Sequence, residues 1–234
     1  SSLTTVTLSN ANGGNLSITT PRLINQDGGR IGATTFAEGN AGDLTLNATE
    51  FIELNGVGTS EFNPSLIIAS ANILDPFLQE LFSLPDLPSG QSGRITIWTP
   101  YLALRNGARL TVQNEGTGNS GDLIINVQQV TLTENSDLTA STLAGSVWNI
   151  LLNVDSAFIL QNGSQLSSEA GGRGDGGNIS IDATNIVGVN NSDISANAFE
   201  GNGGNIAITT QGLFGLEFRD RLTDENDITA SSRF

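Results

Sequence analysis

The chain has 234 residues and a formal charge of -15, which arises from 24 acidic residues and 9 basic residues that are all Arg. His and Cys are absent, which excludes Ser-His and Cys-His nucleophile pairs, disulfide bonds and ordinary zinc sites. The acidic charge argues against nucleic acid as a partner, because a nucleic-acid groove needs a positive stripe. No run of about 18 apolar residues occurs, so we expect no insertion into a membrane.

One pattern recurs along the chain: a polar residue is followed by two aliphatic residues that lie two positions apart. Its seven copies begin at Asn15, Asp43, Arg94, Asp122, Asn149, Asn178 and Asn205. Successive copies begin 27 to 29 residues apart, except for one interval of 51 residues. A fixed period in this range is typical of a solenoid, whose units bury their apolar faces by stacking on one another.

Within each unit, apolar residues alternate with polar ones, which predicts strands. In the unit that begins at Arg94, the apolar pairs fall within 95–97, 102–104 and 110–112, and Asn106-Gly107 marks a sharp turn. Asn and Gly tolerate the left-handed backbone conformation that such a turn requires. The sequence therefore predicts an all-β fold, a parallel β-helix of about seven coils with three short strands in each coil. We also expect the Asn side chains at the turns to bond from coil to coil.

The long interval predicts an insertion at residues 60–92. Asp75 and Pro76 favour a helix start, because Asp caps the first free N–H groups and Pro fits the first turn. Pro85 ends the helical pattern. The apolar residues at helical spacing between them include Phe77, Leu78, Leu81 and Phe82. We therefore predict a short amphipathic helix at about 75–84, within residues 73–84.

An outward apolar stripe follows this insertion. The outward positions of the first strand are polar in most coils, but they include Trp98, Ile124 and Leu151 in the three coils after the insertion. One interpretation is that the predicted helix covers this stripe and forms a satellite core, because monomers seldom leave large apolar patches exposed. The other is a binding surface for another chain or a ligand. The residues of this predicted surface are Phe77, Leu78, Leu81, Phe82, Trp98, Ile124 and Leu151.

The last unit has an enlarged loop at residues 212–227 that contains aromatic, basic and acidic side chains. Among them are Phe214, Phe218, Arg219, Arg221 and Asp227. Such a loop fits a contact site for a carbohydrate or a metal ion, but charge runs are more often solvated faces. We therefore expect the Arg side chains of this loop to pair with its acids.

Two short motifs lie in the Gly-rich segment 171–177. Arg173-Gly174-Asp175 matches an integrin-binding motif, but three residues match easily by chance. The same segment is one residue short of a calcium-binding nonapeptide, and it occurs once, whereas those motifs form arrays. We therefore expect no cofactor and no metal site, with calcium as the one ion that the acidic charge would attract.

The enzymatic alternative is a polysaccharide lyase or hydrolase on a β-helix. A hydrolase needs two carboxylates that flank a cleft, about 5–10 Å apart. Asp43 and Asp122 share one position of the repeat with Arg94 between them, and Asp137 and Asp193 share another position two coils apart. No three acids stack on consecutive coils, so we predict no catalytic residues and no enzymatic activity.

Two repeat units, at 13–19 and 203–209, begin with Gly-Gly-Asn and continue with alternating aliphatic residues, and Phe218-Arg219-Asp220-Arg221 precedes the last strand pattern at 227–232. These segments resemble filamentous-haemagglutinin-type exoproteins of the two-partner secretion class, most closely their large cyanobacterial members. The resemblance covers nearly the whole chain and implies a right-handed β-helix. The secretion domain of that family carries Asn-Pro motifs, to which only Asn63-Pro64 is similar. We therefore place residues 1–234 as a single segment in the rod of a longer protein.

This resemblance implies a secreted protein at the surface of a Gram-negative, cyanobacterial-like bacterium, exported through an outer-membrane transporter. It implies a structural and adhesive function, in which the rod displays loops for attachment to glycans or proteins of host or neighbouring cells. A β-helix lyase or hydrolase is the alternative function, and a passive spacer is a third.

Overall fold

The computed structural model describes residues 1–58, 63–146 and 149–232. In chain order, the elements are β1 (Ser2–Thr7), β2 (Leu16–Gln26), β3 (Arg30–Thr35), β4 (Leu44–Asn55), β5 (Leu66–Ala71), α1 (Pro76–Phe82), β6 (Ile95–Arg105), β7 (Arg109–Asn114), β8 (Leu123–Leu132), β9 (Asp137–Thr142), β10 (Ile150–Gln161), β11 (Gln165–Ala170), β12 (Ile179–Val189), β13 (Asp193–Ala198), β14 (Ile206–Phe214), β15 (Glu217–Phe218) and β16 (Asp227–Thr229). Within these residues, the strands form two parallel sheets. The short-strand sheet has the order β1-β3-β5-β7-β9-β11-β13-β16-β15, and the long-strand sheet has the order β2-β4-β6-β8-β10-β12-β14.

The repeated pattern lies in register from coil to coil. Leu16 pairs with Leu44, which pairs with Ile95, and the same alignment continues to Ile179 and Ile206. The inward side chains of these positions form the core, where Leu44 and Ile95 have no solvent exposure. The predicted parallel β-helix of about seven coils is therefore confirmed.

Each coil has two main strands rather than the three that the sequence predicts. The first two predicted strands are joined into one strand of 9 to 12 residues in the long-strand sheet. In β10, the register with both neighbouring strands shifts between Val154 and Ala157. Such a shift is typical of a β-bulge, at which a strand bends. Asp155 and Ser156 are both exposed at this point, so the alternation that marks a strand is interrupted. The hydrogen-bonded ladder resumes directly after the bend, and a separate strand is therefore not needed.

The turns between the two sheets have the predicted left-handed conformation. Asn106 and Gly107 have φ values of 56° and 75°, and Asn162 has a φ of 56°. The predicted bonds between turn side chains are also present, because Asn106 Nδ2 donates to Asn55 Oδ1 at 2.8 Å. Asn190 Nδ2 likewise donates to Asn162 Oδ1 at 2.7 Å. These bonds connect one coil to the next on the outside of the rod.

A column of glycines lies where the chain returns to the long-strand sheet. Gly42, Gly93 and Gly121 stack on one another, and a Cβ atom added to Gly93 would lie 1.9 Å from the carbonyl oxygen of Gly42. No side chain fits at that distance. These glycines are therefore required for the close approach of neighbouring coils.

The helix α1 begins as the sequence predicts. Asp75 is its N-cap and accepts a hydrogen bond from the backbone N–H of Leu78 at 3.2 Å, and Pro76 occupies the first turn. The helix ends at Phe82, earlier than predicted, because Ser83 adopts the left-handed conformation with a φ of 54°.

The predicted insertion at 60–92 is corrected by the structure. Its residues 66–71 form β5, a regular strand that pairs with β3 and β7. The additional residues therefore fall before and after β5, and residues 60–62 lie outside the described residues. The equivalence of Ile67 and Ala69 to Ile31 and Ala33 identifies this strand in the sequence.

The segment 212–227 is also more structured than the enlarged loop that we predict. β14 extends to Phe214, and Leu216 is buried beside Gly188. β15 then pairs with β16 on the side opposite β13. A short strand therefore covers part of the last edge of the short-strand sheet.

Candidate functional site

The helix α1 does not form the satellite core that one interpretation of the sequence predicts. Phe77, Leu81 and Phe82 are 70%, 60% and 49% exposed, and the helix has no buried residue. Trp98 is 52% exposed. The helix therefore does not cover Trp98 of the outward stripe.

The outward stripe is divided between two columns of the long-strand sheet. Ile124 pairs with Leu151 and with Thr96 in β6, and both aliphatic side chains are half-buried. Trp98 pairs instead with Asn47 and Asn126. Trp98 therefore lies diagonally from Ile124, in a column whose neighbouring side chains are amides.

The insertion after β5 is connected to the short-strand side of the rod. The backbone N–H of Ile73 donates to Glu115 Oε2 at 2.8 Å, and Glu115 directly follows β7. Leu78 is half-buried within the insertion. The interpretation in which the helix covers Trp98 therefore fails, whereas the interpretation of these residues as a binding surface stays a prediction. The first residues of the insertion are held at the short-strand sheet, and Trp98 projects from the long-strand sheet.

A shallow depression of about 630 Å³ surrounds Trp98 at the bend of the long-strand sheet. Two of the residues that line it are bonded to each other, because Asn153 Nδ2 donates to Asn126 Oδ1 at 2.8 Å. The residues that line it and bear on its chemistry are Asn47, Trp98, Asn126, Gln128, Asn153 and Asp155. We call this set the Trp98 surface.

A groove crosses the outer face of the short-strand sheet. It consists of two adjoining cavities of about 750 Å³ and about 400 Å³, which share Gln113, Ser141 and Glu169. Because these three residues belong to three successive strands, the groove runs along the stack of coils. Pro64 lines one end and Arg221 lines the other. The groove was not predicted from the sequence, although small outward hydroxyl residues in successive third strands were a signal for it.

Asp137 is an acid in this groove whose pKa is shifted by its surroundings. Burial raises the pKa of its carboxyl above the ordinary value, Arg109 opposes this rise and Glu169 adds to it. Arg109 Nε lies 3.1 Å from Asp137 Oδ2. The groove thus contains a partly buried carboxyl, a guanidinium and a second carboxylate within electrostatic reach.

The acidic residues that share a position of the repeat make mainly structural contacts. Asp43 Oδ1 accepts the backbone N–H of Arg94 at 2.9 Å, and the Arg94 guanidinium lies 3.5 Å from Asp122. The column of Asp137 and Asp193 continues to Asp227, an acid that the predicted column did not include. The pairing of Ile194 with Ile228 places Asp227 next to Asp193.

Arg219 pairs with the acids of its segment, as the sequence predicts. It forms ion pairs with Glu217 at 3.0 Å and with Asp227. Thr223 donates to the carboxylate of Asp227 through its backbone N–H and its hydroxyl. These contacts hold the segment after β15 against β16, where Arg221 reaches the groove.

The Arg173-Gly174-Asp175 motif makes structural contacts between coils. Arg173 pairs with Glu200 at 3.1 Å, and Asp175 Oδ1 accepts the backbone N–H of Asn202 at 2.8 Å. A Cβ atom on Gly174 would lie 1.8 Å from the carbonyl oxygen of Gly145. All three residues are therefore explained by the stacking of coils.

Among the residues that the structure describes, no three His, Cys, Asp or Glu residues lie together in a way that could hold a metal ion. The described helix is also too short to cross a membrane. Comparisons of the chain with protein-family models, with curated proteins and with solved structures find no match.

Proposed function

We propose that this chain is a structural and adhesive segment of a secreted surface protein of the filamentous-haemagglutinin type. The β-helix serves as a rod that displays loops for attachment to glycans or proteins of host or neighbouring cells. In this proposal, the parent protein reaches the surface of a Gram-negative bacterium through an outer-membrane transporter. The observation that carries the proposal is the exposure of the apolar helix α1.

The insertion that contains α1 is not needed for the stacking of coils. β4 pairs with β6 and β5 pairs with β7 in the ordinary register, although the insertion lies between them in the chain. Phe77 and Leu81 are nevertheless apolar and mostly exposed. Exposed apolar clusters of this kind mark interaction sites more often than they serve the fold, which supports a display function.

Binding to whole cells and to an array of cell-surface glycans and proteins tests this proposal. We expect Phe77→Ser combined with Leu81→Ser to weaken binding about tenfold or more, as for central interface residues. Phe218→Ser is the matched control, because Phe218 is 71% exposed and Phe77 is 70% exposed. The control should bind as the unaltered protein does, and far-UV circular dichroism should show the same strand signal for all variants.

Two results would overturn the proposal. If the unaltered chain binds no cell and no array component, the segment is a passive spacer. If the helix variant and the Phe218→Ser variant bind equally well, α1 is not a recognition element and the observation that carries the proposal no longer supports it.

A second candidate function is a polysaccharide lyase or hydrolase, which the partly buried Asp137 in the groove favours. Such an enzyme would release unsaturated or reducing ends from pectin, alginate or a similar polymer. Asp137→Asn would then abolish the release, whereas Asp155→Asn, outside the groove, would not. An adhesive segment releases no such ends, so this assay separates the two functions.

A further inference from the structure

Trp98 is an exposed aromatic residue in a polar column. It projects outward from β6 between Asn47 and Asn126, and its side chain is 52% exposed. A tryptophan contributes most to stability when its large apolar surface is buried. The exposure of the indole is therefore not explained by the fold, which places aliphatic side chains inside and amides outside.

The polar groups around the indole have free hydrogen-bonding capacity. In the described parts of the chain, the Trp98 N–H, the side-chain amides of Asn47 and Gln128 and the carboxylate of Asp155 have no hydrogen-bond partner in the protein. Asn126 and Asn153 are bonded to one another and are thereby held in place. The Trp98 surface thus combines one flat apolar face with donors and acceptors at its rim.

This combination fits a sugar ring. One face of a pyranose consists of C–H groups, which pack against the electron-rich face of an aromatic ring, while its hydroxyl groups project from the edge. Binding sites for small polar molecules typically pair an apolar surface with a few polar groups that fix the orientation. The depression of about 630 Å³ is shallow and open to solvent, which suits a sugar chain that continues beyond the stacked ring.

The charge of the Trp98 surface distinguishes between neutral and anionic polysaccharides. Asp155 is the ionisable residue among the described residues that line the depression. The whole chain carries a formal charge of -15. Because like charges repel, an anionic polysaccharide is disfavoured and a neutral one is accepted.

We propose that the Trp98 surface binds a neutral glycan, with one pyranose ring stacked on the indole of Trp98. The amides of Asn47 and Gln128 bond the hydroxyl groups at the ring edge. This inference rests on the proposed adhesive function and names the ligand class for one face of the rod. It is separate from α1, because no residue of the helix is among the described residues that line the depression.

The test uses cellopentaose and chitopentaose as neutral probes and oligogalacturonate as an acidic one. The chain contains two tryptophans, so incorporation of a fluorinated tryptophan gives a separate fluorine NMR signal for each, and Trp98→Phe assigns the signal of Trp98. We expect a neutral probe to shift this signal. Trp98→Ala should weaken binding about 30-fold, as for a central binding residue.

Tyr101→Ala is the matched control, because Tyr101 is also 52% exposed and does not line the depression. It should bind the probes as the unaltered protein does. The inference is overturned if Trp98→Ala binds as the unaltered protein does, if neither neutral probe binds, or if oligogalacturonate binds more tightly. Cell attachment that depends on Phe77 while neither neutral probe binds overturns this inference alone. Probe binding at Trp98 without any attachment to cells or array components overturns only the adhesive function.

Discussion

Asp227 lies next to Asp193 in adjacent strands of the short-strand sheet, and its backbone N–H donates a hydrogen bond of 2.8 Å to Asp193 Oδ1. Both side chains are buried. Burial raises the pKa of the Asp193 carboxyl above its ordinary value. Burial acts in the same direction on Asp227, but hydrogen bonds from Arg219 and Thr223 outweigh it and lower the pKa of that carboxyl. Two adjacent acids therefore have opposite effects on stability as a function of pH.

We expect Asp227→Asn to lower the melting temperature at pH 7. The folded-state pKa of Asp227 is below its ordinary value, so its ionised form stabilises the fold above about pH 4, and this contribution is lost as the pH falls through the lowered pKa. The difference between the variant and the unaltered protein should therefore shrink in acid. Thermal unfolding of both proteins at pH values from about 3 to about 8 measures this difference in melting temperature. An equal difference at all pH values would contradict the assignment.

Asp193→Asn should have the opposite sign. Because the folded-state pKa of Asp193 is raised, its ionised form costs stability at neutral pH, and this cost disappears below the ordinary pKa. Asn keeps an oxygen that accepts the N–H of Asp227. We therefore expect the variant to melt at or above the temperature of the unaltered protein at pH 7, and the advantage to vanish in acid. A lower melting temperature at pH 7 would show that the charge itself is required.

The glycine column predicts a strong difference between two similar substitutions. Gly93→Ala places a Cβ atom 1.9 Å from a backbone oxygen, whereas a Cβ atom on Gly14 meets no heavy atom within 4 Å. We expect Gly93→Ala to reduce the free energy of unfolding by about 3 kcal/mol, because the backbone must move. Gly14→Ala should change it by less than about 0.5 kcal/mol. Urea unfolding measures the free energy of unfolding of both variants. Equal changes would show that the neighbouring coils can move apart at Gly93 without loss of stability.

Asn162 combines a left-handed backbone with a side-chain ladder. Its Nδ2 donates to Glu134 Oε1 at 2.6 Å, and its Oδ1 accepts from Asn190 at 2.7 Å. Asn162→Gly keeps the conformation but loses these bonds, at a cost of about 1 kcal/mol. Asn162→Ala should cost about 1 kcal/mol more, because a Cβ atom disfavours this conformation. Chemical denaturation of both variants separates the two contributions, and equal stability of the variants would remove the conformational one.

Phe158 is an aromatic residue in a column of aliphatic ones. It is fully buried and pairs with Val130 and Ile186 in the neighbouring coils. We expect Phe158→Ala to cost about 3–5 kcal/mol through the cavity it creates. Phe77→Ala is the control with the same chemical change at an exposed site, and it should cost less than about 0.5 kcal/mol. Hydrogen exchange of β8, β10 and β12 would locate the effect, and protection equal to that of the control would contradict the packing argument.

Local patterns predicted most of the fold, because each strand is specified by its own alternation. The alternation of Leu44 and Leu46 with polar residues marks which side chains of that strand face the core, and the helix start at Asp75 depends only on the residues that follow it. The bend within β10 was not predicted in this way. Whether Val154 and Phe158 belong to one strand or to two depends on hydrogen bonds to neighbouring coils, which are remote in sequence.

The candidate sites also combine features that the sequence determines with features that only the tertiary structure decides. Sequence alone determined the period of the solenoid, the inward core, the left-handed turns and the apolar character of Phe77 and Trp98, because these follow from side-chain chemistry and spacing. Only the tertiary structure decided that α1 and Trp98 lie apart, that Asp227 lies next to Asp193 and that a groove crosses the short-strand sheet. Each of these depends on which coil a residue joins and from which sheet its chain departs. That geometry arises from the stacking of remote segments.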